Sequence, residues 1–103
     1  PALELEIIVR RDGIEVADRS SGVLERLPAI AAGQDVVQLS ASLERLKERF
    51  PDTQSATLLV AEDVDYDTIV QVMDAARARQ TIAGGKVSRQ TLFPQIALGD
   101  APT

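Results

Sequence analysis

The feature that most constrains this chain is one apolar stripe. Val36, Leu39, Leu43, Leu46 and Phe50 recur at spacings of three, four, three and four, which lines them along one side of an α-helix and leaves the other sides polar. Asp35 precedes the stripe with Gln38 three residues on, a capping-box arrangement with Asp in the Ser/Thr role. Lys47 and Arg49 fall in the last turn, where cations complement the helix dipole, and Pro51 ends the run. The spacing predicts a helix over 36–50. Two heptads are too few for a coiled coil, so this helix needs a sheet or a second helix to cover its stripe.

The partner for that stripe is legible as strands. Leu3, Leu5 and Ile7 alternate with Glu4 and Glu6, Asp12-Gly13 supplies a turn dipeptide, and Ile14 to Ala17 reads as the return strand, so residues 3–18 form a predicted β-hairpin. Val23 to Ile30 is a short strand or extended segment ending near Pro28, and Ala31 to Gln34 a linker. Thr57 to Ala61 is a short apolar run expected as a central strand buried on both faces. A second helix is predicted over 66–79: Ile69, Val72, Met73 and Ala76 share a face, Asp63 or Asp65 caps it, and Arg77 and Arg79 close it. Residues 81–90, with Gly84-Gly85 and little apolar material, read as a loop. Leu92 to Leu98 reads as a last strand, with Pro94 implying an edge position or a late start. The whole is an α+β fold: a small mixed sheet of about five strands with two helices packed on one face, in one domain spanning 1–103.

Composition narrows the function. The 103 residues include no Cys and no His. Disulfides, thiolate nucleophiles, Cys-bearing zinc sites and Ser-His or Cys-His dyads are therefore excluded. The formal charge of −5 and the lack of an extended basic run argue against nucleic acid as a partner. Asp63, Asp65 and Asp67 match the first, third and fifth positions of a calcium loop, with Asp74 at the twelfth. Thr68 stands where that loop needs Gly, so the acids are better read as caps on a strand-to-helix corner. Ser20-Ser21-Gly22 and Gly84-Gly85-Lys86 lack the surrounding residues of a nucleophile elbow or a phosphate loop. No catalytic, metal-binding or cofactor-binding set emerges, and a role in binding partners is expected.

The run Leu59-Val60-Ala61-Glu62-Asp63-Val64-Asp65-Tyr66, continued by Ile69-Val70-Gln71-Val72-Met73-Asp74-Ala75-Ala76-Arg77, resembles the signature of the ExbD/TolR family. The segment Arg45 to Asp52 and the hairpin around Asp12-Gly13 fit the same family, and Leu92 to Asp100 resembles a subgroup of it. Two positions depart from the pattern: Asp65 stands where the family often has Pro, and the 80–90 segment is longer than in the best-known members. The resemblance implies the periplasmic domain of a single-pass inner-membrane protein, a homodimer in the family's manner, working within a ring of an ExbB/TolQ-type membrane subunit. Proton flow there is passed as force to an envelope protein or peptidoglycan partner in biopolymer transport. The family's proton-carrying Asp lies in the transmembrane segment, which this chain, starting at Pro1, does not include; about 20 apolar residues interrupted by one Asp are expected upstream of it. Candidate partner-binding residues are Asp63, Asp65, Tyr66, Met73 and Asp74 at the corner and second helix, and Leu92, Phe93, Ile96 and Leu98 on the last strand. A generic interaction module of the same fold, without a motor role, is the alternative.

Overall fold

The structure, a computed structural model, describes residues 2–30 and 36–102. Their elements run β1 (Leu5–Arg10), β2 (Gly13–Asp18), β3 (Gly22–Pro28), α1 (Val37–Arg49), β4 (Ser55–Val60), α2 (Tyr66–Arg77), β5 (Ala78–Ala83), β6 (Lys86–Thr91) and β7 (Gln95–Asp100). Five strands form one mixed sheet in the order β3-β2-β1-β4-β7, while β5 and β6 pair only with each other. The first three strands are antiparallel, and β4 and β7 run parallel to β1 and β4 respectively. This is the α+β architecture expected from the pattern.

Period-two alternation decides which sheet face is covered. Leu5, Ile7 and Val9 on β1 lie in register with Val16 and Ile14 on β2 and with Ala56 and Leu58 on β4, and all are buried. Onto this face the α1 stripe delivers Leu39, Leu43 and Leu46, and α2 delivers Val72, Ala75 and Ala76, closing one core. Each fully buried aliphatic side chain contributes roughly 1.5–3 kcal/mol relative to exposure. The opposite face carries the buried Ile8 and Ala17 and also ion pairs: Arg10 to Glu15 at 2.5 Å, Arg26 to Glu15 at 3.2 Å and Arg19 to Glu6 at 3.5 Å. Arg10, then Arg26, holds the Glu15 carboxyl below its ordinary pKa against the opposing effect of desolvation.

Several expectations are corrected. The turn of the first hairpin is Arg11-Asp12, and Gly13 pairs with Arg10 as the first residue of β2. Its glycine serves a close approach to β3: a Cβ there would stand 3.1 Å from the Leu27 carbonyl oxygen. Strand β4 is central, between β1 and β7, but buried on one face only; Thr57 and Leu59 on the other face are half-buried. The helices end sooner than predicted, α1 at Arg49 and α2 at Arg77. Asp35 and the 31–34 linker lie outside the described residues, and α1 starts after Val36 with no side-chain cap bond.

The largest correction is the 81–90 loop, which is the far part of a regular hairpin. Strands β5 and β6 pair in full from Ala78 with Thr91 to Ala83 with Lys86. Gly84 and Gly85 make the turn at φ +59° and +79°, a left-handed conformation that glycine adopts without a Cβ penalty and that matches the twist of a two-residue hairpin. The last strand starts late, at Gln95, directly after Pro94, and forms a sheet edge.

Candidate binding surfaces

The acidic corner is built by α2 starting where β4 ends. The Asp65 carboxylate accepts the Thr68 amide at 2.9 Å, with Asp65 in an extended conformation at φ −76°. That is an N-cap, which satisfies one of the amides a helix start leaves without an intrahelical acceptor. Hydrogen bonding from Thr68, its side chain first and its amide second, holds the Asp65 pKa below the ordinary aspartate value. Asp67 lies in the first turn, where a negative charge meets the positive end of the helix dipole. Among the described residues no three His, Cys, Asp or Glu side chains are grouped as a metal ion would need.

Tyr66 opens α2 and is 76% exposed. A phenol ring this large left in water at a helix start is an unusual placement for a core-forming residue type. Asp63 is exposed one turn earlier and lines a shallow depression with Arg11, Asp12 and Ala61.

The nine sequence candidates fall into three places. Asp63, Asp65 and Tyr66 share the corner. Leu98, 61% exposed, lies at the same end of the sheet, since β7 runs parallel to β4 with Leu98 opposite Leu58 and Asp100 opposite Val60. Asp74 is exposed near the far end of α2, in a groove of ≈ 630 Å3 shared with Val37, Ser40 and Arg89. Met73 and Ile96 are half-buried and pack against the core.

Leu92 and Phe93 do not belong to the edge-strand surface. Both are buried to 0% exposure, and their amides donate to Arg77 O at 2.8 Å and Ala76 O at 2.9 Å. They return the chain from the β5–β6 hairpin into the core, and Phe93 lies under the Lys47 ammonium at 5.2 Å. The apolar spelling Leu-Phe, taken for strand, marks a core anchor before Pro94.

The outer edge of β7 is the open edge nearest the corner. Its other side pairs with β4 along all six residues, so its outward N–H and C=O groups can accept another strand. Sequence reasoning missed the aliphatic pair Ile82 and Val87, cross-strand neighbours in the β5–β6 hairpin that are 79% and 66% exposed. The signal was present: Gly-Gly flanked by the β-branched residues Thr81-Ile82 and Val87 is a two-residue hairpin pattern.

Among the described residues no helix is long and apolar enough to cross a membrane. Comparison with protein-family profiles, curated proteins and solved structures finds no match for this chain.

Proposed function

We propose that this chain is a non-catalytic coupling domain of the ExbD/TolR type, on the periplasmic side of a bacterial inner membrane. In this reading it passes force from a proton-driven membrane complex to an envelope protein or cell-wall-linked partner. One observation carries it: the segment whose sequence resembles that family, 59–77, folds into a strand-to-helix corner that leaves Tyr66 exposed, in a sheet whose edge strand β7 pairs with the strand leading into that corner. Strand addition along β7 would supply affinity through main-chain bonds, and Tyr66 and Leu98 would supply side-chain selectivity. Such a contact can form and release under load, because it depends on an edge and not on the core.

These 103 residues hold no Cys of their own to compete with an introduced one. A single cysteine at Ala97 or Leu98, introduced into the full-length gene product in cells, is cross-linked with and without a protonophore. Co-purification with a polytopic membrane subunit, and cross-links that change when the proton gradient collapses, are the expected results. Cross-links indifferent to the gradient, with no membrane subunit retained, would overturn the motor reading and leave an interaction module of the same fold.

A further inference from the structure

The β5–β6 hairpin is the one paired element of the described residues that contributes nothing to the core cluster. Beyond its first two residues every side chain is exposed. With six residues per strand it extends about 20 Å from the end of α2. At its base Arg79 is ion-paired with Glu44 of α1, which fixes the direction in which it leaves the domain.

Its charge differs from that of everything around it. Of the chain's 11 basic and 16 acidic residues, four basic and no acidic ones lie between Ala75 and Gly99. The rest of the chain therefore carries seven basic against all 16 acidic residues. The Debye length is about 8 Å at physiological ionic strength, so the far half of a 20 Å arm is largely screened from the acidic body. At the far end Lys86, paired with Ala83 beside the turn, presents a local positive charge despite the net charge of −5, while Arg89, in the third pair from the base, lines the groove at the arm's foot with Asp74.

The apolar pair adds the second half of the pattern. Ile82 and Val87 face each other beside the Gly84-Gly85 turn, and Gln80 and Arg89, the pair two positions back, share their face of the ribbon. A protruding tip with two aliphatic side chains on one face and the long basic Lys86 beside the turn on the other is convex. It fits a surface that yields to it better than a protein pocket, which would have to be concave to match. The long, flexible side chain of Lys86 can reach phosphates while the aliphatic pair enters the headgroup boundary. Both outer edges of the ribbon carry unpaired backbone groups, which cannot enter hydrocarbon, so contact stops at the interface.

We propose that this hairpin is a membrane-surface arm that docks on anionic phospholipid. This holds independently of the coupling role proposed above. Each basic residue near an anionic leaflet strengthens partitioning about five-fold.

The test uses the full chain and sedimentable vesicles of phosphatidylglycerol with phosphatidylethanolamine, against vesicles of phosphatidylcholine alone. Binding to the anionic vesicles that weakens as salt is raised, with little binding to the neutral ones, is expected. Lys86→Gln should lower partitioning about five-fold, and Ile82→Ser with Val87→Ser should lower it while leaving Tm unchanged. Because the chain has no Trp, Ile82→Trp gives a direct reporter whose emission should shift to the blue on anionic vesicles only. Equal binding by the neutralised variant, or no emission shift at saturating lipid, overturns the proposal. So does a lipid-free dimer that the same substitutions dissolve, which would assign the arm to a second copy of the chain.

Discussion

Two hairpins of equal strand length occur in this protein, and they are held in opposite ways. In β1–β2 Leu5, Ile7, Val9, Ile14 and Val16 are buried on one face, and the turn Arg11-Asp12 has no residue at positive φ. In β5–β6 the aliphatic residues are exposed, and the turn is two glycines in left-handed conformations. A core can impose pairing on an ordinary turn, because slipping the register by one residue would put Leu5, Ile7 and Val9 into water. A hairpin without a core depends on a turn whose own geometry matches strand twist. An isolated two-stranded ribbon is marginal even so, and its base is held by the Leu92 and Phe93 amides returning to the last turn of α2.

The largest expected effect lies where the second hairpin meets the core. Phe93→Ala should cost about 3–5 kcal/mol in urea unfolding, as for other buried Phe truncations. Excising 80–89 and closing Arg79 to Gln90 through two glycines should change stability by less than about 1 kcal/mol. A large loss on excision would show that the arm is part of the cooperative unit, and the contrast between the two hairpins would fail.

Gly84→Val with Gly85→Val places β-branched residues at positive φ, at a cost of roughly 1–2 kcal/mol each. Amide exchange should then accelerate across 79–90 while β1, β2 and β4 amides keep their protection. Uniform acceleration in both hairpins would erase the distinction.

Asp65→Ala should lower Tm by a few degrees through loss of the α2 cap. The wild-type carboxyl has its pKa depressed in the folded state, as do Glu15, chiefly by Arg10, and Asp18, chiefly by the Ser20 amide. A depressed carboxyl contributes stability that is fully present above its unfolded pKa and is lost as pH falls through its folded one. Acid melts should therefore show stability falling below about pH 4, with unfolded carboxyls near 3.9 to 4.3, and less steeply for Asp65→Ala. A flat acid profile would contradict the three assigned partners.

The smallest effect concerns the ion pair at the arm's base. Arg79 and Glu44 are partly exposed, and removing the pair by Arg79→Ala should change stability by less than about 1 kcal/mol. The readout that should move is the arm's orientation relative to α1, measurable by residual dipolar couplings.

Much of the sheet was readable because it follows period two with a covered face. Leu5-Glu6-Ile7 and Ile14-Glu15-Val16 say which side is wet. The edge position of the last strand was readable from Pro94. The 78–91 hairpin was not, because hydrophobic alternation is the signal sought for a strand and these residues face water on both sides; only Gly84-Gly85 marked it. Leu92 and Phe93 were placed on a surface for the converse reason. Apolar residues beside a Pro read as an edge strand when nothing reveals that the preceding ribbon turns the chain back into the core. At the corner, the Asp65 cap was legible from residue type and spacing.

Local chemistry thus determined the helices, the Asp65 cap of α2, the covered face of β1 and β2, and the exclusion of Cys and His chemistry. These depend on side-chain period and residue type within a few positions. Tertiary structure alone decided that β4 would be wet on one side, that Leu92 and Phe93 would be core, and that a basic ribbon would stand clear of an acidic domain. Each of these depends on which distant segment arrives to cover a surface, and in the arm's case on none arriving.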